Sequence, residues 1–94
     1  MRDYIGRIVR ATAGGEKDEI FCVVGVDPEG ERLLLANGKR RKLTSPKRKK
    51  PDHVEFLTVQ DSYDYPAIEK LKQGQALTDK ELRRALAAFR AKEV

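Results

Sequence analysis

Residues 19–26, EIFCVVGV, are β-branched and aromatic and present apolar side chains on both faces of an extended chain. A strand of that kind cannot sit on a half-wet sheet; it belongs inside a barrel or sandwich, covered on each side. The cover has to come from little material. The chain has 94 residues, 39% hydrophobic and 37% charged, which is one small domain with a compact core and a crowded ionic surface.

Short runs on either side supply candidate neighbours. Residues 5–12, IGRIVRAT, read as a first strand, and Gly14 and Gly15 in the following AGGEKD serve as the structural turn into EIFCVVGV. DPEGE is a further turn, with Pro28 presetting φ and Gly30 two positions later, and RLLLA at 32–36 follows as a third strand. Asn37–Gly38 then predicts a two-residue hairpin, because both central residues of a type I′ turn need positive φ. The hairpin returns residues 39–44, KRRKLT, as a fourth strand. SPKRKKPD, bracketed by Pro46 and Pro51, is expected to be a loop, and HVEFLTV at 53–59 a closing strand. Five short strands within about sixty residues predict a small antiparallel barrel.

The last third has helical signals. Pro66 and Gly74 frame one short helix. Thr78 and Glu81 have capping-box spacing, Leu77 and Leu82 fit a hydrophobic staple, and Leu82, Ala85, Leu86 and Phe89 recur on one face of a longer helix. The expected class is therefore mainly β with C-terminal α: a barrel over residues 1–59 and a helical extension over 60–94 docked on it.

Charge is unevenly placed. The net charge is +5, yet nine basic residues lie between Glu31 and Asp52 with no acid among them: Arg32, Lys39, Arg40, Arg41, Lys42, Lys47, Arg48, Lys49 and Lys50. The rest of the chain, with 20 less nine or 11 basic residues against 15 acidic, is net negative. Positive charge this concentrated attracts polyanions, nucleic acid above all. The expected contacts are Lys39, Arg40, Arg41 and Lys42 on the hairpin and Lys47, Arg48, Lys49 and Lys50 on the loop, with Asn37 and Gly38 setting the turn between the strands. Guanidinium forks and ammonium groups bind phosphate and fix position more than base sequence. No Tyr, Phe or Trp lies between Phe21 and Phe56, so the segment lacks the stacking platforms that single-strand readers use and favours duplex or structured RNA read by shape and backbone. Tyr4, Tyr63 and Tyr65 are expected to cover the junction of barrel and helices.

YIGRIVRATAGGEKDEIFCVVGV resembles the KOW motif: an entering strand, a glycine turn with a following lysine, and an exiting strand of valines, with Gly6, Gly14 and Val24 in the positions the pattern expects. NGKRRKL and PKRKKPDHVEFL extend the likeness over residues 5–57. In this stretch the chain looks like small bacterial KOW-domain proteins and large-subunit ribosomal proteins of the fourteen-e kind. The resemblance implies an SH3-like barrel and binding to RNA, mostly ribosomal. Where many KOW turns read lysine–glycine, this turn reads Lys17–Asp18, which places a negative charge there and moves the expected contacts toward residues 38–42 and 47–50. The same resemblance leaves a second reading, a protein-interaction module of a ribosome- or polymerase-associated factor, which would use VQDSYDYPAIEK and the last helix.

Catalysis is not expected. No phosphate loop or nucleophile motif occurs, one cysteine and one histidine (Cys22 and His53) make a poor zinc set, and Cys22 reads as a buried apolar residue. Neither cofactor nor metal is anticipated. A lone cysteine suits a reducing compartment, MRDYIGRIVR lacks a signal peptide's apolar region, and no apolar run approaches the ~18 residues of a membrane span, so a cytoplasmic location is expected.

Overall fold

The computed structural model describes residues 4–29, 31–58 and 65–93. They form strands β1 (Ile8–Ala11), β2 (Ile20–Asp27), β3 (Arg32–Ala36), β4 (Lys47–Lys49) and β5 (Val54–Phe56), then helices α1 (Pro66–Lys72) and α2 (Asp79–Glu93). The strands make one antiparallel sheet in the order β4-β3-β2-β1-β5, so β2 lies at its centre, and β4 and β5 are its edges.

Both faces of β2 are buried, each against a different layer. Phe21 and Val23 join Val9, Ala11, Leu33, Leu35 and Val54 in one cluster. Cys22 points the other way and joins Ile8 and Ala36 beneath the helices, with Ala67 and Ile68 of α1 and Leu82, Ala85, Leu86 and Phe89 of α2. The register agrees: Ile8 and Ala36 both stand opposite Cys22, while Val9 stands opposite Phe21 and Leu35 opposite Val23. A bulge between Val23 and Gly25 then shifts the register. It leaves Val24 packed on the helix side and returns Val26 to the side of Val23, which strict alternation would forbid. One face of the sheet is thus covered by the helices, and the other carries an apolar cluster of its own side chains with Tyr4, Val26 and Phe56 packed against it.

The helical signals are realised as hydrogen bonds. The Glu81 N–H donates to Thr78 Oγ1 (3.1 Å) and the Thr78 N–H to Glu81 Oε1 (3.0 Å), a reciprocal capping box. Pro66 opens α1, and beyond its end the Gly74 N–H donates to the Leu71 carbonyl and the Gln75 N–H to the Lys70 carbonyl, a Schellman closure. Lys70 Nζ donates to Glu81 Oε2 (2.7 Å) and ties the two helices together.

The connection from β3 to β4 departs from expectation. Residues 39–44 are not a strand, and the segment expected to be a loop supplies β4, pairing Lys47, Arg48 and Lys49 with Leu35, Leu34 and Leu33. Two causes are visible. Gly38 has φ +77 but Asn37 does not share a positive φ, so the I′ turn never forms. Instead Asn37 Oδ1 accepts the N–H groups of Lys39 and Arg41 (both 3.0 Å), and the Arg41 carbonyl accepts those of Asn37 and Gly38 (2.9 and 3.0 Å). The chain is then drawn to α2, where the Leu43 N–H donates to Asp79 Oδ1 (2.8 Å) and the Leu43 side chain packs against the helix-side cluster. Pro46 and Pro51 lie outside β4, leaving three residues between them free to pair at an edge. The first strand starts at Ile8 and the last ends at Phe56, both shorter than expected; Gly30 and Val59 lie outside the described residues.

Gly38 is fixed by contact as well as by φ. A Cβ there would stand 2.4 Å from the Asp79 carbonyl oxygen, whereas at Gly74 (φ +75) it would meet open space. Gly38→Ala is expected to lower the unfolding free energy by about 3 kcal/mol, from strain and displacement of α2, and Gly74→Ala by about 1 kcal/mol from strain alone. Urea titration of both variants checks this; equal losses would show that the Asp79 contact is not what holds Gly38.

Candidate nucleic-acid interface

The basic segment gathers carboxylates that are remote in sequence. Glu16, on the β1–β2 turn and only 13% exposed at its side chain, is met by Arg41 through Nε (2.7 Å) and Nη2 (3.3 Å) and by Lys47 Nζ at 3.9 Å. Lys49 is 8% exposed. It stands opposite Leu33, so its stem lies against the core while its ammonium reaches over Gly14, where a Cβ would meet Nζ at 3.2 Å. Hydrogen bonding to Arg41 holds the Glu16 carboxyl below its ordinary value against the opposing effect of burial, helped by the charges of Arg41, Lys47 and Lys49. The same bond raises Arg41. Gly14 takes φ +86 in this turn, as expected, while Gly15 does not have a positive φ.

Two further contacts extend the neutralisation. Arg40 Nη1 pairs with Glu19 Oε2 (2.7 Å), and Arg48 Nε lies 3.8 Å from Asp27 Oδ2 with its side chain 69% exposed. The eight expected contact residues therefore separate. Arg41, Lys47 and Lys49 surround Glu16, Arg40 is engaged by Glu19, and Arg48 is held loosely. Among the described residues no carboxylate pairs with Lys39, Lys42 or Lys50, all exposed. Asp18, whose charge seemed at odds with a phosphate contact, takes φ +75 and pairs with Arg10 (2.9 Å).

Two depressions are lined by basic side chains. One, about 190 Å³, is lined by Arg32, Arg48, Lys49, Lys50 and His53, with no acidic residue. It lies where β3 begins and β4 ends, and the short turn Pro51–His53 brings His53 to it. The other, about 350 Å³, lies between the start of the β3–β4 connection and α2, lined by Asn37, Lys39, Arg83, Leu86, Ala87 and Arg90. Neither is lined by Phe, Tyr or Trp, and His53 is the one aromatic ring among their lining residues.

Against known protein families and curated proteins, this chain matches none.

Sequence reasoning missed Arg32 as a lining residue, because its place beside Lys49 and Lys50 depends on β4 pairing with β3. It missed Arg83 and Arg90 as well; their spacing of seven on a helix was the available signal. The aromatic residues also divide differently. Tyr65 packs against the helix-side cluster, but Tyr4 lies on the opposite cluster, its ring stacked on Phe56 (5.4 Å, 12°) with the Arg7 guanidinium 4.2 Å over Phe56. Tyr63 lies outside the described residues. Cys22 is fully buried, and burial pushes its thiol up to about 12, far from a reactive thiolate. Among the described residues no group of three His, Cys, Asp or Glu is placed to hold a metal, and no helix is long and apolar enough to cross a membrane.

Because the Glu16 carboxyl is held below its ordinary value of 4.5, its contribution to stability is complete above that pH and is lost as the pH falls through the lower folded value. Glu16→Gln should be less stable than the unmodified chain at pH 7, and the gap should close at acid pH, as the pH falls through the lowered value of the carboxyl. Urea unfolding between these limits measures it; a gap independent of pH would mean that the carboxylate does not hold the turn.

Proposed function

We propose that this chain is a non-catalytic RNA-binding module of the KOW type, gripping the sugar–phosphate backbone of structured RNA. The observation that carries the reading is the depression of Arg32, Arg48, Lys49, Lys50 and His53, five basic or neutral nitrogen-bearing side chains with no acid among them. A hollow edged by Arg32, Arg48 and Lys50 offers a phosphate guanidinium and ammonium donors of matching charge. With no Phe, Tyr or Trp in the lining, the hollow suits backbone better than base recognition. The KOW likeness of residues 5–57 points to ribosomal RNA. In support of that likeness, Asp18 adopts the left-handed conformation that glycine takes readily, at the position where many KOW turns have glycine. An SH3-like barrel is the corresponding reading of the five-stranded antiparallel sheet.

The alternative, a protein-interaction module, has less support. The apolar stripe of α2 is buried within the chain, on Ile8, Cys22 and Ala36. Half of VQDSYDYPAIEK precedes Tyr65, outside the described residues.

The choice of variants follows from the ion pairs. Reversing Arg41, Lys47 or Lys49 would disturb the Glu16 cluster and confuse folding with binding, whereas Arg48 and Lys50 are exposed. Arg48→Glu with Lys50→Glu is expected to lower affinity for a structured RNA at least about 100-fold, the loss of two charge-assisted contacts, without changing the circular dichroism spectrum. For the unmodified chain, contact with four to six phosphates gives a log-affinity slope of about −3 to −5 against log salt. Fluorescence anisotropy with a labelled RNA hairpin measures both, and a slope near zero would refute the reading.

A further inference from the structure

We propose that the cleft between α2 and the Asn37–Lys39 connection is a second phosphate-binding site for the same RNA, so that the nucleic-acid surface continues onto the C-terminal helix. The inference rests on the RNA-binding reading and extends it to residues outside the KOW-like segment.

Arg83, Leu86, Ala87 and Arg90 recur at intervals of three and four and so form one stripe along α2. The seven-residue step between the arginines sets their backbones about 10 Å apart along the axis. Lys39 faces them from the β3–β4 connection. The wall on that side is built rather than incidental. Asn37 is buried and closes the loop with its side-chain oxygen, and Arg83 Nη1 donates to the Gly38 carbonyl (2.7 Å). That bond orients the guanidinium while leaving its other N–H donors for a ligand.

Helix electrostatics does not account for the cluster. A cation in the last turn is favoured by the helix dipole, which would explain Arg90. Arg83 lies in the N-terminal half of α2, where the dipole offers a cation nothing, and Lys39 is not on the helix. Among the described residues no carboxylate pairs with any of the three, and none lines the cleft. Three cations over a floor of Leu86 and Ala87 select an anion whose remaining surface is weakly polar. Phosphate joined to ribose meets that description, whereas a base would find no aromatic face.

The two depressions lie at opposite ends of β3, Arg32 lining one and Asn37 the other. Five strand steps separate them by about 16 Å. Occupation of one site then raises the effective concentration of phosphate at the other.

The test uses the full chain with Lys39→Glu and Arg90→Glu together; both residues are exposed, and neither makes the Gly38 bond. A 12-base-pair RNA hairpin is the probe, and thermal unfolding verifies the fold. Affinity for the hairpin should fall at least tenfold, and the salt slope should become shallower by about 2. Unchanged hairpin binding by this variant, alongside loss in Arg48→Glu/Lys50→Glu, overturns the second site and leaves the RNA-binding reading standing. Unchanged binding by both variants overturns both. Adenosine monophosphate is the second probe: if it shifts the backbone amide resonances of residues 83–90 and the hairpin does not, the cleft holds free nucleotide and the proposal is wrong.

Discussion

Where the β3–β4 connection meets the first turn of α2, the Gly38 backbone approaches Asp79 too closely for any side chain, and the Asp79 carboxylate takes the Leu43 N–H. Arg83 closes the same junction from the next turn by donating to the Gly38 carbonyl. Much else depends on this join. It holds the helix across the outer face of β2, diverts residues 39–45 from strand geometry, and delivers the chain to β4 at the register that aligns Lys49 with Leu33. Both basic depressions follow from it, since one is the join's own margin and the other lies at the far end of the ladder that it starts.

The electrostatics of the segment are governed by what the fold brings to it. Cations this dense repel one another unless a counter-charge relieves them. The relief comes from the β1–β2 turn, whose Glu16 and Glu19 engage Arg41, Lys47 and Arg40. Glu16 counts for more than a surface carboxylate would because it is mostly covered and has a two-point contact with a guanidinium. The basic segment is therefore partly neutralised at its centre and open at its ends.

Much of the architecture was legible in the residue pattern. EIFCVVGV announced a strand covered on both faces, Thr78 and Glu81 announced the helix start, and Leu82, Ala85, Leu86 and Phe89 announced its buried stripe, because each depends on neighbours within a few residues. The β3–β4 connection was misread for the opposite reason. Asn37–Gly38 satisfies the local rule for a hairpin, but its conformation is set by Asp79 and Arg83, more than forty residues away. The bulge at Val24 was equally hidden, since only pairing with β3 reveals it. For the candidate site, composition located the cations but could not separate those already paired, because Glu16, Glu19 and Asp27 reach them only through the folded sheet.

The edge position of β4 has a further consequence. Among the described residues its outer backbone groups have no partner strand on one side, and such an edge is where a second sheet would add. Here the edge carries Lys47, Arg48 and Lys49 in succession. A copy of the chain approaching edge to edge would bring a like row of cations to a spacing of about 4.8 Å, the distance between paired strands. The strand's own charge thus opposes edge-to-edge polymerisation of the fold.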